Sequence, residues 1–467
     1  SNLGRSQDHQ DILRCVKKLQ TVKELISGAA GINTLISDSQ FRSYLQGICS
    51  ILTEDLENYE SELVQTGMDS QKLEEINTDL IKLKDLLWHI EYDRIIVSQS
   101  VGELLGGRTG DRFIEILLTV QQVLTGLDRL EVRGRDSAGI HLMIQNHGLD
   151  LMNPGVRQEI ENRTADLNYK SGSVRILDNA LSFVYKVASE IGELGDNTQE
   201  LRKLILSDDL LYRALENENV TAVAIGHSRW ASYGIISEPN THPMNSELLE
   251  SEDSPFVVAA ANGDVDNFAD LKRVRNLQIP KLITSDSKVI PALISNELSS
   301  QHGSLLDLDE AFRKTVQTLD GSIAIIANTG LKPEKLYMAL RGSGQGLYIG
   351  LSDEAYVIAS EPYGLVEATD SYLRLNGETL PNRNDSVSGN GEIVSVSLNQ
   401  PVAVQSLKRI AYDGTPLPIT DNEFTQAEIT TRDIDRRNFP HFLLKEIYES
   451  PQSFEKTLRG NLLSENG

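Results

Sequence analysis

Apolar residues in the first quarter of the chain recur at three- and four-residue steps. Between residues 71 and 97 they are Leu73, Ile76, Leu80, Leu83, Leu87 and Ile90, with acidic and basic residues between them. This spacing places the apolar side chains on one face of a helix. Segments 11–26 and 43–64 repeat the pattern, and glycines separate the three segments. Residues 8 to about 130 are therefore predicted to form a helical hairpin or bundle.

Two interpretations of this helical region remain open. It is either an insertion packed on its own domain or a coiled coil that binds a partner. The apolar stripe falls short of the ~3–4 sustained heptads that are typical of a coiled coil, which favours the insertion.

The pattern changes near residue 133, where short runs rich in Val, Ile, Ala and Tyr alternate with turn residues. These predicted strands are 139–145, 182–189, 221–226, 255–263, 321–328, 335–343, 346–352, 355–360, 371–375, 392–398 and 401–407. Three helical stripes lie among them, at 265–277, 287–300 and 305–319. So many brief strands favour antiparallel sheets over a parallel doubly wound core, and the helices are expected to cover those sheets.

The last part of the sequence changes character again. A polar stretch, 413–438, leads to a helical segment at 441–460. We interpret this tail as a linker followed by the beginning of a further domain.

Composition narrows the possible functions. The 467 residues include 44 Lys and Arg against 68 Asp and Glu, a formal net charge of −24 that repels phosphate backbones and disfavours nucleic acid as a partner. No run approaches the ~18–20 apolar residues that a membrane span requires, and the first residues show no signal sequence. Cys15 and Cys49 have no metal-site spacing and are expected to be buried thiols in a reducing compartment. These features predict a soluble, cytoplasmic protein.

One segment, GHSRWASYG at 226–234, has the composition of a binding loop. It follows a predicted strand, and binding residues are frequent where strands end. Arg229 offers a planar set of donors that matches a carboxylate, and Trp230 can form a pocket wall. Ser232 and Tyr233 add hydroxyl groups.

Two further segments complete a possible site. Asn262 and Gly263 pair a side-chain amide with a backbone N–H, which together can stabilise an oxyanion. Asp286 stands in a turn before a helix, where an exposed carboxylate can hold an ammonium group. A receptor for a carboxylate, one for an ammonium group and an oxyanion hole predict a free α-amino acid as the ligand.

Each of these residues also has an ordinary structural interpretation. Asn-Gly commonly forms a hairpin turn, Asp before a helix commonly caps it, and Arg commonly forms a surface ion pair. His227 and His242 lack a second ligand at metal-site spacing, so they are expected to be structural and no metal is predicted.

Taken together, these blocks resemble the class II glutamine amidotransferases, specifically the glutaminase domain of glucosamine-6-phosphate synthases. The segment 226–234 is similar to that family's Gly-His-Thr-Arg-Trp-Ala-Thr-His-Gly signature. Further blocks follow in the family order, at 127–140, 237–243, 257–272, 284–290, 319–327, 339–361 and 442–460. The resemblance thus covers residues 127 to 460, and eight ordered blocks make chance an inadequate explanation.

The resemblance implies roles for individual residues. Arg229 would bind the α-carboxylate of glutamine with the help of the loop from Trp230 through Ser232 to Tyr233. Asp286 would bind the α-ammonium group, and Asn262 with Gly263 would form the oxyanion hole. Arg133 and Asp136 would support the pocket and the nucleophile. No cofactor is implied.

The same resemblance implies an α+β fold. This is the N-terminal-nucleophile (Ntn) hydrolase sandwich, with two antiparallel sheets between helical layers. We expect a large N-terminal helical insertion at 1–126, a glutaminase-like domain at 127–410, and a linker with a first helix at 411–467 that leads to a sugar isomerase domain.

Two positions depart from the family pattern. Ser232 and Tyr233 replace a threonine and a histidine. The family's nucleophile is an N-terminal cysteine followed by Gly-Ile, whose α-amino group acts as the general base, whereas this sequence begins with Ser1. We expect a short strand bearing that cysteine to precede Ser1 in the native product, and we expect the chain by itself to be inactive.

The sequence therefore predicts hydrolysis of L-glutamine to glutamate and ammonia, with the ammonia used to aminate fructose 6-phosphate in a homo-oligomer. The alternative is a catalytically inactive glutaminase fold that serves as a glutamine sensor or an assembly module. A class II amidotransferase that makes purines or asparagine is disfavoured by Trp230 and by the KEIYE tail at 445–449.

Overall fold

The computed structural model describes residues 2–63, 70–188, 193–231, 234–250, 254–300, 307–378, 391–437 and 439–458. The α-helices of this part are α1 (Asn2–Leu25), α2 (Gly28–Ser37), α3 (Ser39–Leu63), α4 (Ser70–Trp88), α5 (Val97–Leu105), α6 (Asp111–Leu130), α7 (Pro154–Thr164), α8 (Asp196–Leu206), α9 (Asp209–Ala214), α10 (Phe268–Val274), α11 (Val289–Ser299), α12 (Leu308–Thr318), α13 (Thr431–Ile434) and α14 (Phe442–Leu458).

The strands are short, as the sequence predicts. They are β1 (Ser137–Gln145), β2 (Val174–Leu177), β3 (Ala180–Val187), β4 (Thr221–Arg229), β5 (Met244–Asn245), β6 (Val257–Gly263), β7 (Ile323–Thr329), β8 (Lys332–Arg341), β9 (Tyr348–Leu351), β10 (Tyr356–Ala359), β11 (Ser371–Arg374), β12 (Glu392–Ser397), β13 (Leu407–Ala411) and β14 (Phe424–Gln426).

The chain divides into two compact units. A helical unit comprises Ser1–Ile114 and Ile429–Gly467, and a sheet unit comprises Glu115–Glu428. These boundaries differ from the predicted 126/127 and 410/411, because α6 contributes its larger part to the sheet unit and β14 belongs to a sheet.

In the helical unit, the apolar stripe predicted on α4 faces the core. Ile76, Leu80, Leu83 and Leu87 are buried, whereas Leu73, near the start of the helix, is only partly buried. The helix continues past Trp88 as a π-helix at His89–Ile96, which the three- and four-residue spacing does not predict.

The two cysteines differ in burial, although both belong to this unit. Cys49 is 1% exposed in the core of the unit. Cys15 is only partly buried beside the same core, so the expectation of two buried thiols is wrong for Cys15. Both thiols are free.

The sheet unit contains three antiparallel sheets in the described part of the chain. Their strand orders are β2-β3-β1-β4, β10-β9-β11-β14 and β13-β12-β8-β7-β6-β5. Every pairing between these strands is antiparallel, so the predicted α+β class with antiparallel sheets is confirmed. The family resemblance implies two sheets, whereas hydrogen bonding divides these strands into three.

Alternation along the strands of the six-stranded sheet explains the layers of this unit. Ala259 and Ala261 of β6 pack with α11 and α12, while Ala260 faces a core shared with the other two sheets. Successive side chains of a strand point to opposite faces, so the six-stranded sheet has helices on one face and sheets on the other.

One predicted strand is misplaced. The segment 401–407 contains a 3₁₀ turn at Val404–Ser406, and β13 begins only at Leu407. The apolar alternation of this segment thus ends where the strand starts.

Of the helices that the structure describes, none is both long enough and apolar enough to cross a lipid bilayer.

Candidate functional site

The candidate loop begins at the end of β4. This strand extends through Arg229, three residues beyond the predicted end at Gly226, because β1 pairs with it along its whole length. Ser137 is the partner of Arg229, and the N–H of Asp136 donates to the Arg229 carbonyl at 3.0 Å. Pairing with β1 therefore fixes the backbone of Arg229.

The turn that precedes β1 holds the residues after Arg229. The backbone of Gly134 packs so closely on the Arg229–Trp230 peptide that a Cβ there would lie 2.5 Å from the Trp230 nitrogen, so the position requires glycine. The Asp136 carboxylate accepts a hydrogen bond from the Ala231 N–H at 2.8 Å. Asp136 thus holds the backbone of the candidate loop at Ala231.

The Arg229 side chain is 5% exposed, which rules out the interpretation as a surface ion pair. Burial lowers the pKa of its guanidinium, and the negative charges of Asp286 and Asp136 oppose that shift. Since arginine stays protonated in proteins, the site contains a buried positive charge with two carboxylates near it. Trp230, in contrast, is 72% exposed.

Asn262 and Gly263 form the end of β6. The next strand of the same sheet begins only at Ile323, so these residues are not a hairpin turn. Gly263 has a φ of +105°, and a Cβ there would lie 2.1 Å from the Ser322 carbonyl oxygen. Only glycine fits this position, because a side chain would be both strained and in collision.

Asp286 is 6% exposed, so the expectation of an exposed carboxylate is wrong. Its Oδ2 accepts a hydrogen bond from the Val265 N–H at 2.7 Å, two residues after Gly263. This bond draws the carboxylate inward and attaches it to the end of β6. Asp286 is also not a helix cap, since the N-cap of the 3₁₀ turn Asp286–Lys288 is Ser285.

The other residues predicted for the site are Arg133, Ser232 and Tyr233. Arg133 is mostly exposed and forms an ion pair with Glu361. Ser232 and Tyr233 lie outside the described residues.

Two histidines lie near the ends of β4 and β6, His227 within β4 and His242 against the backbone of β6. The rings of His227 and His242 are 4.4 Å apart, and His242 Nδ1 accepts a hydrogen bond from the Ala261 N–H at 3.3 Å. Burial lowers the pKa of His227 to about 4 and that of His242 well below its ordinary value. Both rings are therefore neutral near pH 7. Among the described residues, no group of three or more His, Cys, Asp or Glu side chains could hold a metal ion.

Sequence reasoning missed two residues that organise the turn around Asp286. Asn240 is fully buried, and its Oδ1 accepts from the backbone N–H groups of Thr284 and Ser285 at 2.6 and 2.9 Å. Lys288 is 1% exposed and donates to the carbonyl and side-chain oxygens of Asn245 at 2.7 and 2.9 Å. The position of Asn240 inside the block 237–243 was the available signal for its role.

The structure thus associates Arg229, Asp136 and Asp286 electrostatically, and it attaches Asp286 to the chain that leaves Gly263. A guanidinium and a carboxylate of this kind can bind the two charged ends of an α-amino acid. A glycine at positive φ beside a side-chain amide can present donors to a developing oxyanion.

Comparisons with known proteins agree with the sequence blocks. The chain is 28% identical over 330 residues to glutamine–fructose-6-phosphate aminotransferase (isomerizing) of Bacillus cereus, a match that covers 70% of this chain and 41% of the relative. The protein of the same name from Oceanobacillus iheyensis is 28% identical over 341 residues, covering 73% of this chain and 43% of the relative. These matches confirm the resemblance, and the chain spans less than half the length of either relative.

A scan against family models gives no match. Among solved structures, the chain is similar to one described as the allosteric regulatory enzyme of purine biosynthesis, at 20% identity and a TM-score of 0.38, over 62% of this chain and 46% of the other. Glutamine phosphoribosylpyrophosphate amidotransferase from B. subtilis gives the same values.

Proposed function

We propose that the sheet unit binds L-glutamine at the ends of β4 and β6 and acts as a glutaminase. The observation that carries this proposal is the burial of Arg229 with Asp286 and Asp136 as its charged neighbours. A buried guanidinium is expensive in free energy, and a carboxylate ligand offsets that cost. The α-carboxylate of glutamine would bind Arg229, and its α-ammonium group would bind Asp286.

The proposed oxyanion hole consists of the Asn262 amide and the Gly263 N–H. Hydrolysis of the glutamine side chain passes through a tetrahedral intermediate whose oxyanion needs such donors. A thiol that loses its proton to a general base would attack the side-chain amide of glutamine, forming a γ-glutamyl thioester and releasing ammonia, and water would then hydrolyse the thioester to glutamate and the free thiol. Loop residues Trp230, Ser232 and Tyr233 would complete the pocket, and Arg133 would support it from outside.

The fold and the acceptor of the ammonia are proposed from the named relatives. We propose an Ntn-hydrolase sandwich for the sheet unit and a helical insertion for the region before residue 127. The ammonia would aminate fructose 6-phosphate in a sugar isomerase domain that follows the helix α14, within a cytoplasmic homo-oligomer. The similarity over 330 residues to glutamine–fructose-6-phosphate aminotransferase supports this choice of acceptor.

A binding role without catalysis is the second candidate. Cys15 and Cys49 both belong to the helical unit, whereas the candidate site belongs to the sheet unit. A glutamine sensor or assembly module would retain the contacts to the amino acid and lack turnover.

Calorimetric titration with L-glutamine tests the binding step. We expect the wild-type chain to bind and Arg229→Ala to lose roughly 30-fold or more in affinity, because the change removes a charge-assisted contact worth about 2 kcal/mol or more. The matched control is Arg273→Ala, which removes an exposed arginine paired with Asp270 at 2.7 Å on α10. Equal affinities of the wild-type and Arg229→Ala chains would refute the assignment.

Release of glutamate, measured by an enzyme-coupled assay, separates the two candidate functions when Cys-Gly-Ile is placed before Ser1, because the chain by itself is expected to be inactive. Turnover by that longer chain supports the glutaminase. Binding without turnover by the longer chain supports the sensor or assembly module.

A further inference from the structure

A buried carboxyl group lies behind the candidate loop and takes no part in the proposed chemistry. Glu131 is 1% exposed in the 3₁₀ turn Glu131–Arg133, between α6 and β1. Its Oε2 accepts a hydrogen bond from the Gly195 N–H at 2.7 Å, at the residue that precedes α8. Its Oε1 is buried and has no hydrogen-bond partner within the described segments.

A second contact fastens the same two segments. The Asn197 amide donates to the Arg135 carbonyl at 2.9 Å, so the start of α8 is attached to the turn 131–136 at two points. The Oδ1 of Asn197 is also buried without a hydrogen-bond partner in the described chain. Each of the two segments thus has a buried acceptor oxygen without a donor, and a proton on Glu131 would turn its carboxyl group into a hydrogen-bond donor.

The charges around Glu131 also favour its neutral form. Burial raises the pKa of Glu131, the backbone N–H groups of Gly195 and Thr198 lower it, and the carboxylates of Asp128 on α6 and Asp196 on α8 raise it, with a resulting pKa of about 7. An ionised Glu131 would add a third negative charge in a place without a neutralising cation among these groups.

The turn that Glu131 begins is the one that holds the candidate loop. The Gly134 N–H donates to the Glu131 carbonyl at 3.1 Å, and the Gly134 backbone packs on the Arg229–Trp230 peptide. Asp136, at the end of the turn, binds the Ala231 N–H. A displacement of this turn would therefore move the backbone of Arg229.

We propose that Glu131 is a positioning residue, a buried carboxylic acid that fastens the start of α8 to the turn beneath Arg229, and that repulsion of its ionised form by Asp128 and Asp196 loosens the glutamine pocket. This inference rests on the proposed glutamine site. Glu131 does not touch the ligand, and it acts on affinity through the turn 131–136 alone.

The test compares the wild-type chain with Glu131→Gln, which keeps an oxygen for the Gly195 N–H and cannot ionise. L-Glutamine affinity is measured by calorimetry from pH 5.5 to pH 8.5. We expect the wild-type affinity to fall several-fold as pH rises through about 7, and we expect Glu131→Gln to retain its affinity over that range. Glu218→Gln, an exposed glutamate of the same unit, is the control and should follow the wild type.

Amide hydrogen exchange in segment 193–198 gives a readout that does not depend on glutamine. After correction for the intrinsic pH dependence of exchange, the wild-type segment should lose protection above pH 7 and the Glu131→Gln segment should not. Equal protection of the two chains at every pH would overturn the inference. Absence of glutamine binding at every pH, with the expected difference in protection, would instead refute the proposed function and leave the role of Glu131 in place.

Discussion

Helix α4 and the ends of β4 and β6 differ in the kind of side chain that they bury. On α4, Leu80 and Leu83 face the core, and a charged residue of the same helix, Lys82, lies in solvent with a side chain that is 60% exposed. At the strand ends, Arg229 and Asp286 are 5% and 6% exposed. The helix thus buries apolar side chains, which water solvates poorly, while the strand ends bury charged side chains, which water solvates well.

This difference shows which region is built for stability and which for binding. Removing apolar surface from water stabilises the fold by roughly 25 cal/mol per Å². Burying charge opposes folding unless partners offset the desolvation. Substitutions in α4 should therefore change stability alone, whereas substitutions at the strand ends should change affinity for the ligand as well.

The largest expected effect on stability belongs to the helical region. Leu80→Ala should lower the free energy of unfolding by about 3 kcal/mol, because it removes a buried side chain and leaves a cavity. Urea denaturation measures this loss, and Ile81→Ala, at a position 53% exposed, is the control with a small effect. The comparison fails if Leu80→Ala also weakens glutamine binding under conditions where the chain is folded.

Alanine substitutions at two separate glycines test the steric constraint on the backbone at the end of β6. Gly263→Ala should cost about 2 kcal/mol, because a positive φ of +105° and the Ser322 carbonyl both oppose a Cβ. Gly107→Ala in the helical unit has a similar φ of +85° with no atom within 4 Å of the added Cβ, and it should cost about 1 kcal/mol. Urea denaturation compares the two variants, and equal losses would show that the Ser322 carbonyl imposes no constraint.

Lys288 tests the cost of a buried charge beside Asp286. Burial lowers the pKa of Lys288 to about 7, so between pH 7 and the ordinary lysine value the unfolded chain binds more protons than the folded chain. Stability therefore rises with pH in that window, by about 1 kcal/mol between pH 7 and pH 8 relative to Lys288→Met. Urea denaturation at both pH values measures this change. An unchanged difference between the two chains would contradict it, and Lys281→Met, at an exposed lysine, is the control.

The smallest effect is expected where charge is exposed. Arg273 and Asp270 form an ion pair on α10 with side chains that are 78% and 73% exposed. Arg273→Ala should change the free energy of unfolding by less than about 0.5 kcal/mol, because solvent screens such a pair. A loss comparable with that of Leu80→Ala in the same denaturation assay would remove the distinction between buried and exposed positions.

Regular patterns allowed most of the fold to be predicted from sequence. The stripe of α4 and the runs that became β6, β7 and β8 each have the period of their element. Short strands such as β5, with two residues, are too brief to show a period. The end of β4 was also missed, because pairing with β1 rather than its own sequence extends it to Arg229.

The residues of the candidate site likewise fall into those that the sequence predicts and those that it does not. Arg229 and Gly263 stand out in local motifs, and the structure gives each a constrained environment. Asn240, Lys288 and Glu131 were missed, because their burial depends on contacts with segments far away in the sequence. The inward position of Asp286 could not be predicted either, since it follows from a hydrogen bond to Val265.

A crystal structure of the chain grown with saturating L-glutamine tests the central claim most directly. The account predicts one glutamine molecule with its α-carboxylate on the Arg229 guanidinium, its α-ammonium group on Asp286 and its side-chain amide directed at Asn262 and Gly263. Glutamine bound elsewhere, or these residues unchanged and empty of ligand at a concentration where calorimetry shows saturation, would contradict it.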